Sequence, residues 1–120
     1  MVKVMLIEDD PTMISLLGTL LEMEGYEVIK LDQFSSVLED IKNLGPDVIL
    51  MDIHLETIDG LEILSVMRKD PELKKAKVIM TSGMDKKYES IQAGAEDFLM
   101  KPYMPDELID KVKNLIEQVN

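Results

Sequence analysis

The sequence predicts a doubly wound α/β domain, a five-stranded parallel sheet with five helices on its two faces, and three observations lead there. Short apolar runs alternate strictly with segments of helical periodicity along all 120 residues. The crossovers between successive runs are long enough to hold a helix, which demands parallel strands joined by right-handed connections. The third run, Val48-Ile49-Leu50-Met51, is continuously apolar and reads as a strand buried on both faces at the centre of the sheet.

Taken in order, Val2 to Ile7 is apolar except for Lys3 and forms the first strand. Asp10-Pro11 supplies an N-cap and a first-turn proline, and Met13, Leu16, Leu17, Leu20 and Leu21 recur at helical spacing until Gly25. Glu27 to Leu31 is a weaker second strand. Ser36 with Glu39 is expected to form a capping box for a helix over residues 37–44, which Gly45-Pro46 stops. Asp47 to Met51 is the third strand, and Asp59 with Glu62 caps a helix running to Lys69. Lys77 to Met80 is a fourth strand, a helix starts near Asp85 and ends towards Gly94, and Phe98 to Met100 is a short fifth strand. Pro105, Asp106 and Glu107 place proline and negative charge at the start of a last helix, whose apolar face carries Leu108, Ile109, Val112, Leu115, Ile116 and Val119. No repeat or linker interrupts this order, so residues 1–120 are expected to be a single domain.

Composition narrows the function. Lys plus Arg total 13 against 24 Asp plus Glu, a net charge of −11, and the short group Lys74, Lys75 and Lys77 makes no phosphate-binding stripe. Nucleic acid is therefore not an expected partner of this domain. No apolar run is long enough for a membrane span and no signal-peptide pattern opens the chain, so no membrane contact and a cytoplasmic location are expected. The absence of cysteine removes thiol chemistry, and a single histidine, His54, cannot build a His-rich metal site. The ten methionines are scattered over strands and helices and read as core filling. Carboxylate and hydroxyl chemistry remains.

In this architecture ligands bind at the carboxyl ends of the strands. Those ends carry Glu8, Asp9 and Asp10 on the first strand, Asp52 on the third, Thr81 and Ser82 on the fourth and Lys101 on the fifth. Asp10, before Pro11, is best read as a helix cap. Glu8, Asp9 and Asp52 together repel one another and raise their own pKa values unless a cation intervenes. Oxygen donors without His or Cys point to Mg²⁺, with Mn²⁺ as the alternative. A metal, a lysine suited to a phosphoryl oxygen and a hydroxyl donor beside a carboxylate nucleophile make a phosphoryl-transfer site.

The acidic Ile7-Glu8-Asp9-Asp10, the strand Val48-Ile49-Leu50-Met51-Asp52, Asp59-Gly60, Thr81-Ser82, Gln92-Ala93-Gly94-Ala95 and Lys101-Pro102-Tyr103 occur in this order across the whole chain. The set resembles the receiver domain of bacterial two-component response regulators, the chemotaxis-regulator type in particular. The resemblance implies a flavodoxin-like fold with strand order 2-1-3-4-5. It further implies that Asp52 accepts a phosphoryl group from a histidine kinase or phosphotransfer protein, and that Asp9 binds Mg²⁺ directly and Glu8 through water. The backbone carbonyl of His54 would complete the protein ligands. Lys101 would pair with the phosphoryl group, Thr81 would move to hydrogen-bond it, and Phe98 stands at the switch-aromatic position. The downstream partner would be a protein target docking on the fourth helix, fifth strand and fifth helix.

Two departures from the family pattern carry expectations. Glu56 stands where proline is usual, implying a more mobile and more negative loop, and Phe98 lacks the hydroxyl of the usual tyrosine. Phe98 and Tyr103 read equally as packing or as part of a partner-facing surface. Such a domain is not an enzyme with a separate substrate; it accepts a phosphoryl group and loses it by self-hydrolysis. The alternative is a non-phosphorylated interaction module of the same fold. A flavodoxin-like nucleotide binder is disfavoured because the first loop is acidic where phosphate needs backbone donors.

Overall fold

The computed structural model describes the backbone of residues 1–119 and the side chains of residues 1–117; Val119, placed above on the apolar face of the last helix, lies outside the described side chains. The elements are β1 (Lys3–Ile7), α1 (Pro11–Met23), β2 (Glu27–Lys30), α2 (Val37–Leu44), β3 (Val48–Asp52), β4 (His54–Leu55), β5 (Ile58–Asp59), α3 (Gly60–Lys69), β6 (Lys77–Ser82), α4 (Lys87–Ala93), β7 (Asp97–Met100) and α5 (Pro105–Val119). The main sheet is five-stranded and parallel in the order β2-β1-β3-β6-β7, the expected 2-1-3-4-5 arrangement once the short β4–β5 pair is set aside.

Alternation along the central strands divides the core in two. Val4, Leu6, Val48, Leu50, Ile79 and Leu99 face Leu17 and Leu21 of α1 and Leu108, Val112 and Leu115 of α5. Met5, Ile7, Ile49, Met51, Val78, Met80 and Phe98 face Val37 and Ile41 of α2 and Ile63, Leu64 and Met67 of α3. Burial of each such side chain is worth about 1.5–3 kcal/mol, so both helical layers are tied to the sheet independently. Of the ten methionines expected as core filling, Met5, Met51, Met67 and Met80 are buried in the core, whereas Met1, Met23, Met84, Met100 and Met104 are exposed, a correction to that expectation.

Several local expectations need correction. Ser36 makes no side-chain cap bond, so α2 starts without the expected capping box and relies on Val37 and Ile41 packing and on Gly45, left-handed at φ 59°, to end it. Asp10 does cap α1, accepting from the backbone N–H groups of Thr12 at 2.9 Å and Met13 at 3.4 Å. α4 starts at Lys87, because Asp85 is spent in a turn that accepts from the Lys87 N–H at 3.2 Å. The loop after β3 folds into an antiparallel hairpin pairing His54 with Asp59 and Leu55 with Ile58. Glu56 turns this hairpin at φ 53°, a left-handed conformation that proline cannot adopt.

Arg68, at the end of α3, secures the far side of the sheet. Its guanidinium donates to the carbonyls of Gly94 (2.8 Å), Lys74 (3.0 Å) and Ala76 (2.8 Å) and to Glu96 Oε1 (2.8 Å), and Glu96 Oε1 also accepts from the Val78 N–H at 2.6 Å. A Cβ at Gly94 would lie 2.6 Å from Arg68 Cγ, so the glycine both ends α4 at φ 110° and admits the arginine.

Candidate functional site

The strand ends converge as expected. β1 delivers Glu8 and Asp9, β3 ends on Asp52, β6 ends on Thr81 and Ser82, and the ladder continues past β7 with the Lys101 N–H donating to the Ser82 carbonyl at 2.8 Å. Glu8, Asp52, Thr81 and Ser82 are buried, Asp9 is exposed, and Lys101 is half-buried. Thr81 and Ser82 lie inside β6, and Thr81 pairs in register with Asp52, which fixes it beside the carboxylate.

The site centres on the Lys101 ammonium, whose Nζ lies 2.6 Å from Glu8 Oε1 and 2.8 Å from Asp52 Oδ2. The remaining oxygens are also engaged. Glu8 Oε2 accepts the N–H groups of Asp9 at 2.8 Å and Asp10 at 3.1 Å, and Asp52 Oδ1 accepts the His54 N–H at 3.2 Å. Burial works against the Lys101 charge, but hydrogen bonds from its ammonium to Asp52 and Glu8 outweigh it and hold the amine above the ordinary lysine range. Burial pushes the Glu8 carboxyl up against the opposing pull of Lys101, and the charge of Asp52 contributes the smallest push. Repulsion among the carboxylates, expected from sequence to dominate, is therefore secondary to desolvation at Glu8.

Gly60 explains the Asp59-Gly60 pair. A Cβ there would lie 2.5 Å from the Asp52 carbonyl oxygen and 3.1 Å from Ile53 Cα, so only glycine lets the start of α3 pack against the backbone that carries Asp52. The Gly60 N–H donates to the Ile53 carbonyl at 2.7 Å, and Asp59 caps α3 through the Leu61 N–H at 2.9 Å. The sequence marks Asp59-Gly60 but carries no sign of this close approach.

The His54 side chain is exposed and its backbone forms part of the hairpin. Phe98 and Tyr103 are each 8% exposed, which decides between packing and partner contact in favour of packing. Phe98 lies on the face covered by α2 and α3, and Tyr103 on the face covered by α1 and α5.

The donor set fits a hard divalent cation. One oxygen from each of Glu8, Asp9 and Asp52 lies within 4.8 Å of the others, and Lys101 balances only one of three negative charges. Carboxylate oxygens with no His or Cys among them suit Mg²⁺ or Mn²⁺.

A parallel five-stranded sheet with an acidic triad and a lysine at its carboxyl edge defines a class of phosphoacceptor signalling domains, and comparison with known proteins makes the assignment. Residues 4–113 match the family described as response regulator receiver domain, and the chain belongs to that family. It is 32% identical over 123 residues to the sensory transduction protein BceR of Halalkalibacterium halodurans, covering 100% of this chain and 52% of that protein. The Francisella response regulator 1452 receiver domain superposes with a TM-score of 0.90 at 28% identity, each chain fully covered. The chemotaxis response regulator CheY4 of Vibrio cholerae shares the fold, with a TM-score of 0.86 at 24% identity over 96% of this chain and 98% of that one. The chain spans about half the length of the curated relatives it matches. It is thus a receiver domain of the two-component type, a family that uses Mg²⁺ at such an acidic cluster. No described helix is long and apolar enough to cross a membrane.

Proposed function

We propose that this receiver is a phosphorylation switch in which Asp52 takes a phosphoryl group from the phosphohistidine of a histidine kinase or phosphotransfer protein. The O–P bond to Asp52 forms as the donor's P–N bond breaks; water later attacks the phosphorus, the Asp52 O–P bond breaks, and inorganic phosphate leaves as the carboxylate is restored. The observation that carries this reading is the Lys101 ammonium held between Glu8 and Asp52 at 2.6 and 2.8 Å, a cation poised where phosphoryl charge would arrive.

Each residue has a part consistent with its place. Asp52 is the nucleophile, and Asp9, exposed at the rim, is a direct ligand for Mg²⁺ or Mn²⁺ together with Asp52 and the His54 carbonyl. Glu8, whose Oε2 already takes two N–H donors, contributes through water. A divalent ion held by these residues would supply charge neutralisation for the phosphoryl oxygens. Lys101 transfers its contact to the phosphoryl group, and the Thr81 hydroxyl, beside Asp52 in register, turns to hydrogen-bond it. Thr81 and Phe98 form the switch pair; with Phe98 already inward, the response passes through Thr81 and the segment leading to α4.

The output face is α4, β7 and α5. It exposes Met84 before α4, Tyr88 and Ile91 on α4, Met100 on β7 and Met104 before α5, an apolar set suited to a protein target. The net charge of −11 keeps this domain itself off nucleic acid, and its place is the cytoplasm. It turns over no substrate other than its own phosphoryl group.

The test is intact-mass spectrometry after acetyl phosphate, with and without Mg²⁺, on wild type and Asp52→Asn. A Mg²⁺-dependent gain of one phosphoryl group, absent in the variant, is expected. No gain from acetyl phosphate or from a phosphohistidine donor, with the fold intact, would leave the interaction-module reading.

A further inference from the structure

Lys74, Lys75 and Lys77 are three cations within four residues of a chain whose net charge is −11, and the phosphoacceptor site makes no use of them. They lie at the amino end of β6, whereas Asp52 and Thr81 lie at the carboxyl edge of the sheet. Lys42, Arg68, Lys86, Lys101, Lys111 and Lys113 each form an ion pair with a carboxylate; Lys74, Lys75 and Lys77 form none among the described residues.

Beside these lysines a groove of 580 Å³ opens where the chain enters β3 and β6. Its lining is apolar where it is buried, at Pro46, Val48 and Ala76, and Val2 and Ile116 continue the apolar surface half-buried. Lys75 is exposed and Lys77 half-buried at the same groove. Asp47, the acid in this lining, is already engaged, its Oδ2 accepting the Lys3 N–H at 2.8 Å.

The surrounding backbone is engaged as well. The carbonyls of Val2, Lys3 and Asp47 accept from the N–H groups of Glu27 (2.9 Å), Asp47 (2.9 Å) and Lys77 (3.0 Å), and Arg68 takes those of Lys74 (3.0 Å) and Ala76 (2.8 Å). An occupant is therefore held by side chains and not by extending the sheet. The Arg68 bonds also fix the backbone that displays the three ammonium groups.

We infer that this groove docks an acidic segment of a partner protein, with a bulky apolar side chain filling the groove and flanking carboxylates pairing with Lys75 and Lys77. Charge complementarity selects that occupant. A chain of net charge −11 repels an acidic partner over most of its surface, and here unpaired cations border apolar surface. Three lysines are too few phosphate contacts for nucleic acid. The docking point lies at the opposite end of the sheet from Asp52, so it is separate from the phosphoacceptor and its output face.

The experiment is fluorescence anisotropy at low ionic strength with the labelled peptide Glu-Asp-Glu-Leu-Leu-Glu-Asp-Glu and a control in which both leucines are serine. The leucine peptide is expected to bind with a Kd of about 100 µM, and the serine peptide about tenfold more weakly. Lys75→Glu/Lys77→Glu is expected to weaken binding about tenfold, whereas Lys87→Glu, beyond the other end of β6, is expected to stay within about twofold of wild type. Where the glutamate pair melts below wild type, Lys75→Gln/Lys77→Gln takes its place, with a loss of about fivefold expected. No binding of the leucine peptide at about 1 mM, equal binding of the two peptides, or equal loss in Lys87→Glu would each overturn the inference. So would binding of phosphatidylglycerol vesicles in place of the peptide, which would assign the lysines to a membrane surface. Concentration-dependent self-association abolished by the double variant would overturn it too, by making a second copy the occupant.

Discussion

Asp9→Asn in metal-free protein is the sharpest probe of the acidic cluster. Asp9 is exposed at the rim and has one carboxylate oxygen within 4.8 Å of those of Glu8 and Asp52, while Lys101 sits between the latter two. Asp9 thus feels two negative charges and one positive, a net repulsion of about one unit charge. At 4.8 Å and the dielectric of water this amounts to about 0.9 kcal/mol, the appropriate scale for an exposed group. Unfolding entropy of about 2.1 cal/mol/K per residue over 120 residues converts this into a rise of about 3–4 °C in melting temperature. The assay is calorimetry in chelator at low ionic strength, repeated at high salt, where the gain should shrink as the charges are screened. Added Mg²⁺ should reverse the order, stabilising wild type more than the variant. An unchanged or lower melting temperature for Asp9→Asn at low salt would refute the reasoning, because it would mean that Asp9 is not repelled by the cluster.

Three further outcomes are expected. Gly60→Ala drives a methyl to 2.5 Å from the Asp52 carbonyl and should cost about 2–3 kcal/mol in urea unfolding while slowing phosphorylation of Asp52; an alanine variant as stable as wild type would contradict the close approach. Glu56→Gly should stabilise the protein by about 1 kcal/mol by relieving the left-handed residue at φ 53°, whereas Glu56→Pro should destabilise it, and the two melting temperatures should move in opposite directions. Glu8 has a folded-state pKa above its unfolded value, so its stabilising contribution is complete below the ordinary glutamate range of about 4.3 and is lost as pH rises through the folded value. Glu8→Gln in metal-free protein should therefore gain on wild type as pH rises from 4 to 7, and parallel pH profiles would count against the buried, desolvated carboxylate.

What could be read from the chain beforehand was what repeats along it or sits at the end of something that repeats. Continuous apolar runs located β1, β3 and β6, and helical spacing with a glycine stop located α2 at Val37–Leu44. The acidic pair, Asp52, Thr81 and Lys101 were legible because each follows such a run directly. The β4–β5 hairpin was not, since two-residue strands carry no period and their turn is made by Glu56 in a conformation that favours glycine. Arg68 reads as one more charge in the last turn of a helix; its carbonyl partners lie 6, 8 and 26 residues away and are brought together only by the fold. The balance of forces at Glu8 was likewise hidden, because desolvation depends on how deeply the strand end is covered.

The alternation that sorts the core has a bearing on how this domain could have been shaped. Leu50 and Asp52 point to the same side of β3, as do Leu6 and Glu8 on and beyond β1, so the greasy rows and the charged tips are successive marks on one ruler. Sliding β3 by one residue against its neighbours would expel Leu50 from its layer and at the same stroke carry Asp52 away from Lys101 to the opposite side. A chain in the wrong register thereby loses a core layer and the Asp52–Lys101 ion pair together. Substitutions at Leu50 or Ile79 are therefore expected to disturb the contact between Asp52 and Lys101 with neither of those residues changed.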